Sequence, residues 1–144
     1  MQIPNVISLP TVLLALIAIP ACSNGQTSPD PAASTSPAVS EATLRRGKIL
    51  FLQCQACHAL KKDQGHRVGP NLSGLFGRSA ASAEGFGYSD ALKAADIVWS
   101  REQIDAFITS PTGKVPGTIM AFAGVAKAAD RSAIIDYLQV ETQP

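Results

Sequence analysis

Residues 54 to 58 read Cys54-Gln55-Ala56-Cys57-His58, and no other segment of the chain constrains its structure as strongly. The two thiols stand three positions apart, a spacing at which each can add to one vinyl group of a haem. The adjoining His58 then lies close enough to ligate the iron through its imidazole. The pattern Cys-x-x-Cys-His therefore predicts one covalently attached haem c, bonded to Cys54 and Cys57.

The composition indicates a small globular domain with a tail. The 144 residues are 46% hydrophobic and only 16% charged, with a formal net charge of +1. This balance argues against nucleic-acid binding, which needs clustered Lys and Arg side chains to neutralise phosphates. Segments that alternate apolar and polar residues with β-branched enrichment are scarce, so the chain is not expected to form a β-sheet.

Residues 1–21 have the character of an export signal. Residues 6–21 are almost wholly apolar, but the run is short for a membrane-spanning helix of ~20 residues. Pro10 and Pro20 also interrupt it. The usual basic start is missing, because no Lys or Arg precedes the run. An export signal remains the better interpretation.

The signal ends in Ile-Pro-Ala-Cys at residues 19–22, which resembles the lipobox of bacterial lipoproteins. In this interpretation Cys22 is lipidated and begins the mature chain, and its acyl chains give lasting attachment to a membrane. Ordinary cleavage nearby, leaving Cys22 as a spare thiol, is the alternative. Residues 22–41 are rich in Ser, Pro, Ala and Thr and predict a flexible tether. One folded domain is then expected over residues 42–144.

Two other kinds of site use paired cysteines at this spacing. A structural zinc site needs four ligands, and the mature chain adds only His66 to the pentapeptide as a nitrogen or sulfur ligand. A dithiol exchange site of the thioredoxin type needs a βαβ setting, and the sequence shows none. Zinc binding and dithiol exchange are therefore the weaker alternatives to haem attachment.

A low-spin haem carrier needs a second axial ligand besides His58. The candidates are Met1, His66 and Met120. Met1 leaves with the signal, and His66 is too near His58 along the chain to lie on the other haem face. A lone methionine is more often core filling, but Met120 is the sole methionine of the domain and lies in a loop shaped by proline and glycine. We predict His58 and Met120 as the axial ligands, a pair that raises the reduction potential.

Helix signals predict an all-α domain of three to four helices joined by long loops. The expected helices cover about residues 41–53, 89–95, 101–110 and 128–140. Ser40 is the predicted N-cap of the first helix, and Ser100-Arg101-Glu102-Gln103 has the pattern of a capping box. Such a small, loop-rich domain is marginal on side-chain burial alone, so an apolar cofactor at its centre would complete the core.

Gly47 stands in the middle of the first predicted helix, where glycine costs ~0.5–1 kcal/mol relative to alanine. Either another backbone crosses the helix closely at this point, or the glycine is a harmless defect. The sequence alone leaves both interpretations open.

Five further motifs follow the pentapeptide along the chain, in the order seen in one known family. From about Thr43 to Leu138 the chain resembles the class I cytochromes c, nearest to the mitochondrial and bacterial c2-like branch. The resemblance rests on the pentapeptide and on five later segments, at residues 68–78, 85–89, 97–99, 116–122 and 134–138. It implies the cytochrome c fold, all-α and wrapped round one haem, and a one-electron carrier rather than an enzyme. The expected partners are membrane respiratory complexes or other redox proteins. Together with the export signal and a lipidated Cys22, this predicts a monomer on the periplasmic side of a bacterial inner membrane. A soluble periplasmic protein is the alternative.

The resemblance also implies roles for single residues. The carbonyl of Pro70 would accept the Nδ1–H of His58, which fixes the imidazole ring. Four further side chains would hold the haem propionates: Arg78, Tyr88, Trp99 and Thr118. Core packing is the alternative role for Trp99. The first and last helices would meet where Gly47 and Phe51 face Ile134 and Tyr137.

The chain departs from the mitochondrial pattern at several positions. Phe107 stands where a tyrosine would hydrogen-bond the methionine sulfur, and Ile119 replaces a lysine beside the ligand. Thr112-Gly113 replaces a lysine pair. The ring of lysines that docks the mitochondrial protein is therefore thinned to Lys61, Lys62, Arg67 and Lys114, which form either a weak docking ring or an ordinary solvated face.

Overall fold

The computed structural model describes Gln2 and residues 39–143. The predicted signal peptide, Cys22 and most of the predicted tether lie outside the described residues. Within the described part no helix is both long enough and apolar enough to cross a membrane. The helices are α1 Glu41–Gln55, α2 Asp90–Ala94, α3 Arg101–Thr109, α4 Pro111–Lys114 and α5 Ala128–Glu141, with one 3-10 turn at Lys62–Gln64. The all-α prediction is confirmed, and in residues 39–143 extended pairing is limited to one isolated bridge between Ser79 and Val98.

Local capping explains where the predicted helices begin. The Ser40 hydroxyl accepts a hydrogen bond from the backbone N–H of Thr43 at 3.1 Å, which satisfies one of the free donors in the first turn of α1. Ser89 does the same for α2 through the N–H of Leu92. Helix α5 has no side-chain cap at Lys127. Its position therefore depends on packing against the rest of the domain.

The capping box at α3 forms only in part. Ser100 Oγ accepts from the backbone N–H of Gln103 at 3.2 Å, as the pattern predicts. The return bond is missing, because the Ser100 N–H donates to the Val98 carbonyl instead. Gln103 Oε1 is buried and has no hydrogen-bond partner among the described residues. Glu102, not Gln103, accepts from the Ser100 hydroxyl.

Helices α1 and α5 cross at Gly47, and the crossing resolves the alternatives left by the sequence. A methyl group at Gly47 would run into the backbone carbonyl of Ala133 and lie 2.6 Å from Tyr137 Cβ. One turn further along α1, the ring of Phe51 packs on that of Tyr137 with centroids 5.7 Å apart. Glycine is therefore required here for close approach of the two backbones.

We expect Gly47→Ala to lower the free energy of unfolding by about 2–3 kcal/mol, the cost of overpacking a tight contact. The atoms in the way belong to backbone and to a Cβ, so rotation of a side chain cannot relieve the clash. Urea denaturation of the holoprotein measures the effect. Gly87→Ala is the matched control, because a methyl group there meets nothing within 4 Å. Equal stability of the two variants would contradict the proposed close crossing.

Two ion pairs connect α5 to α3. Arg131 on α5 binds both carboxylate oxygens of Asp105 on α3, and also donates to the carbonyls of Val125 and Ala126. Arg101 on α3 binds Asp136 on α5 at 2.5 Å. These bonds fix α3 against α5, the pair of helices that carries one wall of the core.

The core lies between α1, α3, α5 and the long loops. Its buried apolar side chains are Phe51, Leu75, Trp99, Ile104, Phe107, Val115, Val125, Ile134, Ile135 and Leu138. Several of them also face a single large cavity. The centre of the domain is thus a hollow with an apolar wall and not a closed hydrophobic core.

Candidate haem site

The C-terminal end of α1 presents the pentapeptide to the cavity. Helix α1 runs on to Gln55, two residues past its predicted end, so that Cys54 lies in its last turn. The backbone N–H groups of Cys57 and His58 both bond to the Cys54 carbonyl, at 3.0 and 2.9 Å. This tight turn brings both thiols and the imidazole to the same cavity.

The imidazole of His58 is fixed by the segment that follows it. Its Nδ1 lies 2.7 Å from the Pro70 carbonyl, and since a carbonyl can only accept, Nδ1 carries the proton. The ring packs flat on Gly69: a methyl group there would lie 2.8 Å from Nδ1 and 2.9 Å from Nε2. The bond to Pro70 that the resemblance implies is present in the structure.

Burial controls the protonation of this part of the site. It lowers the pKa of His58, which the bond to Pro70 partly opposes. The imidazole is therefore neutral, and its Nε2 lone pair is free to bind a metal. Burial, with a smaller contribution from Cys57, raises the pKa of Cys54 to about 11. Neither cysteine forms a disulfide among the described residues.

The cavity brings together side chains from distant parts of the chain. Besides the pentapeptide residues, all of the predicted haem contacts line it: Pro70, Arg78, Tyr88, Trp99, Thr118 and Met120. The remaining walls are mostly aliphatic and aromatic, including Leu72, Leu75, Leu92, Ile104, Phe107, Ile108, Phe122, Ile134 and Leu138. A flat apolar group with two thiol attachments, one imidazole and one thioether within the same walls fits this arrangement.

Known proteins identify the family. Residues 44–140 match the family model for cytochrome c. The chain belongs to the cytochrome c family. It is 42% identical over 104 residues to a cytochrome c of Stellaria longipes, covering 72% of this chain and 96% of the relative. A cytochrome c2 of Blastochloris viridis is 42% identical over 108 residues, 75% of this chain and 84% of that protein.

A solved structure agrees with this assignment. Cytochrome cH from Methylobacterium extorquens has a TM-score of 0.64 and 35% identity, over 67% of this chain and 97% of its own. Proteins of the cytochrome c family are electron carriers with covalently attached haem c, and Cys54, Cys57 and His58 complete the attachment motif. The predicted fold, cofactor and family are therefore confirmed. The weaker zinc alternative gains no support, because in residues 39–143 no group of three or more His, Cys, Asp or Glu could hold a metal ion.

Arg78 and Tyr88 are two of the polar side chains that line this cytochrome c cavity. The Arg78 guanidinium donates to the carbonyls of Ser73 at 2.9 Å and Asn71 at 3.1 Å, which uses two of its five N–H donors. Burial raises the pKa of Tyr88, opposed by the backbone of Ala83 and the charge of Arg78. The Tyr88 hydroxyl is therefore protonated at neutral pH, and both side chains have donors for anionic groups.

Trp99 has the core-packing role, which the sequence left open as an alternative. It is a buried member of the core and packs on Phe107 with ring centroids 5.2 Å apart. It also lines the cavity. Phe107 lines the same cavity but has no hydroxyl group, so it offers the Met120 sulfur no hydrogen bond.

Met120 is positioned by the loop at residues 115–122. The Val115 carbonyl accepts from the N–H of Thr118 at 3.0 Å, and Gly117 between them has a φ of +90°. The Thr118 hydroxyl then accepts from the backbone N–H of Met120 at 3.3 Å. Thr118 therefore orients the backbone of the candidate ligand, a role that the sequence did not suggest.

Asn71 and His66 organise the loop that carries Pro70, and sequence reasoning missed both. The Asn71 side chain is buried and spans the loop, donating to the carbonyls of Lys61 and Gly65 and accepting from the N–H of Ser73. His66 Nδ1 accepts from the backbone N–H of Asn71. His66 Nε2 donates to the Glu84 carbonyl, so both ring nitrogens are occupied. The only available signal was a polar residue directly after Gly69-Pro70.

All four residues of the predicted cationic ring are exposed, and two of them also bond within the chain. Lys61 pairs with Glu141 on α5 at 2.9 Å. Arg67 donates to the Gln55 carbonyl at 2.7 Å, at the C-terminal end of α1. Lys62 and Lys114 remain exposed.

Proposed function

We propose that this protein is a monohaem electron carrier of a bacterial envelope respiratory chain, with His58 and Met120 as the axial ligands of the haem iron. The observation that carries the proposal is that His58 and Met120, from segments far apart in the sequence, line the same cavity as Cys54 and Cys57. An imidazole and a thioether are the ligand pair that gives cytochromes c a high reduction potential. The haem, when bound, supplies the Fe(II)/Fe(III) couple.

The protein residues would keep the coordination unchanged during electron transfer. The bond to the Pro70 carbonyl and the close packing of Gly69 on the imidazole ring fix His58. In the loop at residues 115–122, the Thr118 hydroxyl fixes the backbone of Met120. The aliphatic and aromatic walls exclude water and lower the local dielectric. Arg78, Tyr88, Trp99 and Thr118 are the side chains that we assign to the propionates, and no general acid or base is required.

An enzymatic role as a haem peroxidase or gas-binding site is the second candidate. It is favoured by one observation, the presence of Phe107 in the cavity wall without a hydroxyl group to bind the Met120 sulfur. A weaker iron–sulfur bond would allow an external ligand to displace the methionine. This function requires an open coordination position, which the carrier function does not.

The ferric absorption spectrum of the purified protein separates the two functions. We expect a positive haem stain on a denaturing gel, since the haem is covalently attached. We also expect the weak far-red charge-transfer band that reports an iron–sulfur bond. A stained protein without this band, which binds cyanide or imidazole rapidly, would favour the enzyme. A colourless protein would exclude both functions.

We also propose that Cys22 is lipidated and that residues 22–41 tether the domain to the periplasmic side of the inner membrane. A tether raises the local concentration of the carrier at a membrane partner without any new contact. Mass spectrometry of the mature N-terminus tests this anchor independently of the haem site. A mature chain that begins away from Cys22 would indicate the soluble periplasmic form.

A further inference from the structure

The mouth of the haem cavity has an unusual rim. Four residues both line the cavity and are exposed to solvent: Gln53, Val68, Ile119 and Ala121. We call these four residues the rim. Val68 has 81% of its surface exposed and Ile119 has 65%. Two branched aliphatic side chains therefore stand in water at the point where the cavity meets solvent.

The rim contains no charged residue. Among the residues that line the cavity, Arg78 alone has a permanent charge, and two of its N–H groups are bound to the carbonyls of Ser73 and Asn71. It is also only partly exposed, unlike the rim residues. A partner that approaches the mouth thus meets an uncharged surface.

Of the cations near the rim in sequence, two bond within the chain, whereas Lys62 and Lys114 are exposed. Arg67, next to Val68, bonds to the Gln55 carbonyl at the negative end of the α1 dipole. Lys61 is paired with Glu141. The rim itself therefore offers no charge to an acidic partner, and these four cations lie outside the cavity lining.

We propose that the redox partner of this protein docks on the rim through a surface that is itself apolar and uncharged around its electron entry site. The proposal rests on the proposed carrier function and specifies its partner. Electrostatic complementarity would require an acidic partner only if the rim were cationic, and it is not. Burial of Val68 and Ile119 would supply the attraction instead.

Two consequences follow for the encounter. Without electrostatic steering, association is expected at about 10⁵–10⁶ M⁻¹s⁻¹ and should change little with salt. The interface is expected to be small, below about 1,200 Å² in total, as in other redox encounters. Fast release is compatible with a carrier that must leave after each electron.

Protein-film voltammetry on chemically defined electrodes tests the proposal. The full-length holoprotein is placed on methyl-terminated and on carboxylate-terminated alkanethiol monolayers, which mimic an apolar and an acidic partner. We expect faster electron exchange on the methyl surface, with little change at high salt. Ile119→Lys and Val68→Lys should each slow exchange on the methyl surface about tenfold and speed it on the carboxylate surface, because each replaces a buried aliphatic contact with a charge.

Ile49→Lys is the matched control. Ile49 lies on α1, is 67% exposed like Ile119, and does not line the cavity. The control should behave as the wild type on both surfaces. The N-terminal segment is the same in every variant, and the exchange rate, unlike the adsorbed amount, depends on whether the mouth faces the electrode.

Three results would overturn the proposal. One is faster exchange of the wild type on carboxylate than on methyl, with strong loss in salt. Another is an equal effect of Ile49→Lys and Ile119→Lys. The third is a concentration-dependent dimer in sedimentation that Val68→Lys abolishes, because a second copy would then cover the rim. Failure of the carrier function would differ from all of these, since no reversible haem wave would be seen on either surface.

Discussion

Replacement of Met120 with alanine is expected to lower the reduction potential by on the order of 0.2 V, a part of the ~0.8 V over which axial ligands set haem potentials. The thioether is a soft, neutral ligand that favours ferrous iron, so its loss favours the ferric state. The far-red band should vanish in the same variant. Equilibrium redox titration and the ferric spectrum measure the two effects.

Leu92→Ala is the control for this variant. Leu92 lines the same cavity from α2 and is partly buried, as Met120 is, but it has no atom that could ligate iron. Its truncation enlarges the cavity without removing a ligand. We expect the far-red band to remain and the potential to stay within a few hundredths of a volt, a small fraction of that ~0.8 V range. Equal losses of potential in the two variants would show that cavity size and not ligation sets the potential, and would remove Met120 as the ligand.

Short-range patterns predicted the helices because the physical causes are local. Ser40 caps α1 through a residue three positions away, and the apolar spacing of residues 104–108 specifies the buried face of α3. The four-residue helix Pro111–Lys114 was expected as loop. Proline fits the first position of a helix, so Pro111 begins α4 two residues after α3 ends at Thr109.

Contacts between residues far apart in the sequence could not be predicted from sequence patterns. Lys61 and Glu141 form an ion pair across 80 positions, which no local spacing signals. The bonds between His66, Asn71 and the Glu84 carbonyl likewise depend on how the long loop folds back. The resemblance implied the bond from His58 to the Pro70 carbonyl, and the structure contains it. The resemblance did not supply the loop contacts that hold Pro70 in position.

Gly47 shows where the boundary between local and distant information lies. Its position in the middle of α1 indicated either a close crossing of two backbones or a harmless glycine. Only the position of Ala133 on α5 distinguishes the two interpretations. The pentapeptide is the opposite case, because the information it carries is entirely local. Its thiols and imidazole are adjacent in sequence, so the haem attachment was predictable before any tertiary contact was known.

Gly69→Ala is expected to destabilise the holoprotein by about 3 kcal/mol, through overpacking and loss of a hydrogen bond. The added methyl group would lie 2.8 Å from His58 Nδ1, within the space of the imidazole ring. The backbone of Gly69 cannot move away easily, because its N–H donates to the Cys57 carbonyl and its carbonyl accepts from the backbone N–H of Arg67. The ring must then turn, and its bond to the Pro70 carbonyl weakens.

Displacement of the ring predicts a specific signature beyond lost stability. The imidazole Nδ1–H should exchange faster with solvent, as seen by NMR of the reduced protein. The potential should also shift, because the bond to Pro70 tunes the ligand. Gly87→Ala controls for the glycine substitution, since its methyl group would meet nothing within 4 Å. If Gly69→Ala loses stability but leaves the Nδ1–H exchange and the potential at wild-type values, the methyl is accommodated elsewhere and Gly69 does not position His58.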